Sequence, residues 1–159
     1  MEISTCFRMN VMETRQFVRT LIVVDERSSV TYIEGWAIPF YNTDHLYATI
    51  VDLYCIEGAM IKYSTVKNWY VGDEEWKHGL YNFIMKRGFC DGDKSNILWT
   101  WVDTGSTITR KYSSIVLKGG DAIWEFYYVA LKNNINRGGQ RWSIQGIIAG
   151  VGFFLKLYL

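Results

Sequence analysis

The sequence predicts a mainly β domain, an antiparallel sandwich or barrel of about eight or nine strands with one amphipathic helix near 73–87. Three observations lead there. Apolar and polar residues alternate with period two in several segments. Aromatic residues make up 16% of the chain, and with β-branched residues they fit a pleated surface. There is one proline, Pro39, so long stretches are free to form uninterrupted ladders.

Taken in order, residues 2–12 place Ile3, Thr5, Phe7, Met9 and Val11 on one face and Glu2, Ser4, Arg8 and Asn10 on the other. Residues 16–24 form a second strand, and the polar run 25–29 a turn. Residues 30–40 form a third strand that Pro39 ends or puts at an edge. Residues 45–56 read as strand, because Glu57-Gly58 suits a tight turn and β-type residues resume after it; a helix capped by Thr43 or Asp44 is the alternative. Over 73–87 Asp73 can cap a helix, Glu74 and Glu75 suit its first turn, and Lys86 and Arg87 its last. Trp76, Leu80, Phe83 and Ile84 give the apolar stripe, and Gly88 the stop. Residues 97–102, 106–117 and 122–132 read as consecutive strands joined by DTG and KGGD turns. After a loop at 133–140, residues 141–159 return to strand. No linker, repeat or low-complexity tract is visible, so a single domain over 1–159 is expected.

Composition narrows the function. A hydrophobic share of 49% excludes a disordered chain. Lys and Arg number 17 and Asp and Glu 16, a net charge of +1 that gives no overall drive toward nucleic acid. No run of roughly 20 apolar residues exists, so insertion of a transmembrane helix is not expected. The three cysteines, Cys6, Cys55 and Cys90, match neither a disulfide framework nor zinc-ligand pairs. They read as free thiols of a reducing, cytoplasmic compartment or of an assembled particle, and no secretory leader pattern opens the sequence. No cofactor or metal is expected.

Several short patterns were weighed for chemistry. Val102-Asp103-Thr104-Gly105-Ser106 resembles the catalytic turn of aspartic proteases, with Ile147-Ile148-Ala149-Gly150 imitating a later segment of that family. The resemblance implies a dimeric hydrolase using Asp103, in which two carboxylates share a proton; the plainer reading is a glycine-containing turn. Asp91–Asn96 begins like a calcium loop, but Asn96 and Val102 stand where an EF-hand needs Gly and Glu. His45 and His78 lack a His or Cys at ligand spacing. Gly119-Gly120 and Gly138-Gly139 open no helix that could cradle phosphate. Arg137, Arg141 and Trp142 could grip a phosphate and stack a base, though a basic loop is the simpler account.

Residues 149–154 (AGVGFF) resemble the closing strand of outer-membrane barrels, and the alternate set from Ile147 to Leu159 is wholly apolar. A central strand buried on one or both faces is the plainer reading; otherwise Phe153, Phe154, Leu155, Leu157, Tyr158 and Leu159 form an interface with another copy. Together these features favour a non-enzymatic assembly protein that homo-oligomerises into a shell, matrix or tube, including a virus particle. A β-barrel around a small apolar ligand is the alternative, followed by the Asp103 hydrolase and an outer-membrane barrel.

Overall fold

The computed structural model describes residues 1–8, 15–38, 43–69, 78–131, 141–149 and 154–158, with side chains as far as residue 129. These residues carry eleven strands: β1 (Glu2–Arg8), β2 (Arg15–Val24), β3 (Ser29–Ala37), β4 (His45–Cys55), β5 (Met60–Asn68), β6 (Leu80–Cys90), β7 (Asn96–Thr104), β8 (Ile108–Leu117), β9 (Ile123–Leu131), β10 (Arg141–Ala149) and β11 (Phe154–Tyr158). The odd strands form one sheet in the order β1-β3-β5-β7-β9-β11, and the even strands a second in the order β10-β8-β6-β4-β2. The chain thus crosses to the opposite sheet after every strand and returns one rung further on. All pairings among the described strands are parallel. The architecture is a two-sheet β-solenoid.

In-register parallel pairing stacks like positions from coil to coil. Tyr32 lies beside Tyr63, Tyr63 beside Trp99 and Trp99 beside Phe126, all pointing inward. Tyr32 and Tyr63 stack at 5.2 Å, and Trp101 meets Phe126 edge-on at 4.7 Å. Each such pair contributes about 0.5–1.5 kcal/mol beyond the area it buries. The facing sheet adds Val51, Leu53, Cys55, Cys90, Ile115 and Leu117 to this core. A second cluster of Trp36, Ile38, Tyr47, Trp69 and Leu80 fills the other end of the cross-section.

One side of the solenoid is a column of tight corners. Each carries one residue in the left-handed region: Arg27, Gly58, Lys94 and Asp121, with φ between 53° and 62°. The corners bond to one another, Arg27 N–H to Glu57 O at 2.9 Å, Gly58 N–H to Asp93 O at 2.8 Å and Lys94 N–H to Gly120 O at 2.8 Å. They sit so close that a Cβ on Gly92 would lie 2.1 Å from the Glu57 nitrogen, and one on Gly119 2.0 Å from the Gly92 oxygen. Glycine is required there because backbone fills the space of a side chain.

The structure corrects the expected fold. The strands are parallel, not antiparallel, and form neither sandwich hairpins nor a closed barrel. Alternation reports which face is buried, not the direction of the neighbouring strand. The KGGD turn is present but redirects the chain into the opposite sheet, whereas Asp103 and Thr104 of DTG end strand β7 and Gly105 alone leaves it. No helix occurs among the described residues, and Leu80–Cys90 is strand β6. Leu80 and Ile84 are four apart, which is one helical turn and also two strand periods, so both lie on the inward face of β6. Lys86 and Arg87 are not a helix terminus: Lys86 points inward and Arg87 pairs with Asp52 outside. The first part of that expected helix, 73–77, lies outside the described residues, as do Met9, Asn10, Val11, Pro39 and Phe40 of the expected strands. The strand expected at 45–56 is present as β4.

Candidate functional site

Across the solenoid interior the inward positions change from apolar to polar. On the odd sheet Glu34 follows Tyr32, Thr65 and Lys67 follow Tyr63, and Asp103 follows Trp101. On the even sheet Asn82 and Lys86 face them from β6, with Thr109, Lys111 and Ser113 from β8. All are at most 4% exposed. Strand alternation dictates this: each residue shares its parity with the apolar residues that fill the core.

Three lysines and two carboxylates therefore lie in one closed seam. Tyr63 donates a 2.6 Å hydrogen bond to Glu34 Oε2, and Lys86 donates one of 2.6 Å to Thr65 Oγ1. Lys111 is ion-paired with Asp103. Lys67 Nζ has no hydrogen-bond partner among the described residues and lies 4.5 Å from the Tyr47 ring centre and 5.5 Å from that of Trp69. Lys86 lies over Tyr63 and Trp101, and Lys111 over Trp101 and Tyr128. The aromatic faces offset part of the desolvation of each ammonium, about 0.5–2 kcal/mol per contact.

Burial nonetheless disfavours the charged amines. It pushes Lys67 down to about 7 against the pull of Glu34. It pushes Lys86 well below the usual lysine value, with Glu34 opposing and Lys67 adding to the shift. Lys111 is lowered in the same way, and the neighbouring Lys67 and Lys86 add to it. Burial, then Glu34, raises the Tyr63 hydroxyl. Burial thus lowers all three amines, and of these Lys67 falls to near neutrality.

Asp103 is thus brought to a chemically unusual place, but not to a protease dyad. Its partner is the Lys111 amine, whereas a shared-proton pair needs a second carboxylate in contact. Gly105 does take a left-handed φ of 75°, where a Cβ would lie 1.8 Å from the Trp69 carbonyl oxygen. The expected hollow for an apolar ligand is filled by Trp99, Trp101, Phe126 and Tyr128. Cys55 and Cys90 are register neighbours, both fully buried, and burial raises their thiols to about 12 and about 11. Cys6 is exposed. No group of three or more His, Cys, Asp or Glu able to hold a metal occurs among the described residues.

Arg141 and Trp142 fall on β10, and Phe154, Leu155, Leu157 and Tyr158 on β11; Arg137, Phe153, Leu159 and the 133–140 loop lie outside the described residues. Sequence reasoning missed Glu34, Lys67, Lys86 and Lys111. The available signal was a charged residue at an inward position of an alternating strand, as Lys67 is after Tyr63 and Thr65.

Residues 7–144 match the family described as "SUF system FeS cluster assembly, SufBD core domain". The chain is 61% identical over 134 residues to "Iron-sulfur cluster assembly SufBD family protein ABCI8, chloroplastic" of Arabidopsis thaliana, covering 84% of the chain and 24% of that protein. It is 54% identical over 134 residues to the SufBD family protein slr0074 of Synechocystis, covering 84% of the chain and 28% of the relative. It is 41% identical over 133 residues to "Iron-sulfur cluster assembly protein SufB" of Plasmodium falciparum, again 84% and 28%. The chain spans about a quarter of the length of these relatives. These matches overturn the expected shell, matrix or virus-particle subunit, the ligand barrel and the dimeric protease. An outer-membrane barrel is excluded by the parallel pairing, since such barrels are antiparallel.

Proposed function

Because the chain belongs to the SufBD core-domain family of SUF-system Fe–S cluster assembly, we propose that it is a scaffold module of that assembly, working with other Suf proteins rather than as a self-standing catalyst. The carrying observation is 61% identity over 134 residues to a chloroplastic relative named for Fe–S cluster assembly. The geometry supports a positioning role. The solenoid interior is solidly filled, and its thiols are buried and protonated rather than presented as thiolates. The cluster is cargo in this reading. The printed name of the Arabidopsis relative supports a plastid setting, which keeps Cys6, Cys55 and Cys90 reduced.

The test is a segment exchange. Residues 7–140 of this chain replace the matching part of the Synechocystis relative in a strain that depends on it. Growth and Fe–S enzyme activity are retained if the segment is a working scaffold. A chimera that accumulates at normal levels but supports neither sinks the proposal.

A further inference from the structure

The outward face of the even sheet departs from an ordinary solvated surface. Phe17 is 72% exposed, Leu21 61% and Val23 64%, and Ile50, Phe83 and Met85 are each exposed by more than a third. In-register pairing sets Phe17 beside Ala48 and Ala48 beside Phe83, so the small alanine leaves a notch between two rings. The next row sets Arg19 beside Ile50, Ile50 beside Met85 and Met85 beside Tyr112. Together they form a trough of about 900 Å³ that runs across β2, β4, β6 and β8, with Arg110 at one end. Contiguous exposed apolar surface of this kind marks an interaction site.

The charge on this face is one-sided. Arg15, Arg19, Arg87 and Arg110 point outward from it, and Asp52 is the acid among its described residues. Arg19 and Arg87 share Asp52, at 3.1 Å and 2.6 Å, so four arginines face one carboxylate among the described residues of this face. A chain of net charge +1 therefore concentrates cations beside an exposed apolar surface.

The backbone hydrogen bonds of β4 and β6 are spent on their neighbours within the sheet, so an occupant of the trough cannot join as another strand. It must be recognised through side chains, lying across the strands. Four strands at about 4.8 Å give a crossing of roughly 14 Å, the length of about nine residues of helix. A recessed surface suits a ridge of side chains better than the broad plane of a bilayer.

We propose that the trough over Ala48, Phe17, Phe83 and Met85 is a docking site for an acidic amphipathic helix of a partner protein, its apolar ridge in the notch and its carboxylates against Arg15 and Arg110. This surface is independent of the cluster-assembly reading, and either could fail alone.

The test uses the full chain and a fluorescein-labelled 14-residue helical peptide, with Leu at spacings of three and four and Glu on the flanks. The controls are the same peptide with Lys for Glu, and phosphatidylcholine vesicles containing phosphatidylglycerol. The acidic peptide binds saturably and the basic one does not. Arg110→Glu and Ala48→Trp, each checked for native circular dichroism, weaken binding by about tenfold or more. The proposal is overturned by any of three results: no saturable binding, binding unaffected by either variant, or vesicle binding in place of peptide binding. A concentration-dependent dimer dispersed by Ala48→Trp would likewise overturn it, by assigning the face to a second copy.

Discussion

The amine of Lys67 lies 4.5 Å from the ring centre of Tyr47 on the opposite sheet, fully enclosed and without a hydrogen-bond partner among the described residues. A buried cation held only by aromatic faces and a nearby carboxylate opposes folding. Lys67→Met fills the same volume without the charge, and should stabilise the protein by about 1–3 kcal/mol at neutral pH. The pH dependence follows from the lowered value. Between about 7 and 10.5 the unfolded chain holds a proton on Lys67 that the folded chain has released. Stability therefore rises with pH across that window and is lost as pH falls through about 7. Urea titrations at several pH values should show this rise in the parent and a flatter profile in Lys67→Met.

Asp103 and Lys111 form the opposite case, a buried pair in direct contact. Asp103→Asn removes the ion-pair partner of a buried amine and should cost about 3–5 kcal/mol. Replacing both, as Asp103→Leu with Lys111→Met, should recover most of that loss. A double-mutant cycle by chemical denaturation checks this, and near-additive losses would show that the two do not interact.

The corner column predicts a sharp contrast between glycines. Gly119→Ala forces a Cβ against the Gly92 carbonyl and should lower stability by several kcal/mol, at the high end of single substitutions. Gly35→Ala meets only Thr5 O at 3.8 Å and Cys6 Sγ at 4.0 Å, and should be neutral or slightly stabilising. Thermal unfolding of the two variants measures the difference.

Thiol labelling gives a direct test of burial. One thiol, Cys6, should react in the native state, and Cys55 and Cys90 only after unfolding. Mass spectrometry after a brief native pulse of thiol reagent reads the sites, and labelling of Cys55 in folded protein would contradict the solenoid packing.

At the far end of the odd sheet, β11 pairs with β9 alone among the described strands. Phe153, Phe154, Leu155, Leu157, Tyr158 and Leu159 remain a proposal for contact with another copy. Removing residues 153–159 should then lower the mass seen by light scattering, and an unchanged mass would exclude that contact.

Much of the strand content was legible, because burial of one face writes period two into the sequence, as in Tyr47, Thr49 and Val51 of β4. The direction of pairing was not. A parallel solenoid and a hairpin stack both need alternation and turn residues, so KGGD suits either. The repeat was hidden by unequal coils: Met60 to Asn96 spans 36 residues, and Asn96 to Ile123 spans 27. The stacked positions hold residues as different as Tyr63 and Trp99, so no sequence period survives. The seam was invisible for a related reason. Lys67, Lys86 and Lys111 look like surface lysines until register places them opposite one another.

The claim that this chain is a SufBD-core scaffold for Fe–S assembly is tested most directly by the cargo itself. The chimera of residues 7–140 within the Arabidopsis relative is purified anaerobically, and its iron and acid-labile sulfide are quantified beside the parent. The account predicts parent-like iron and sulfide content in the chimera. A correctly folded chimera without iron or sulfide would contradict it.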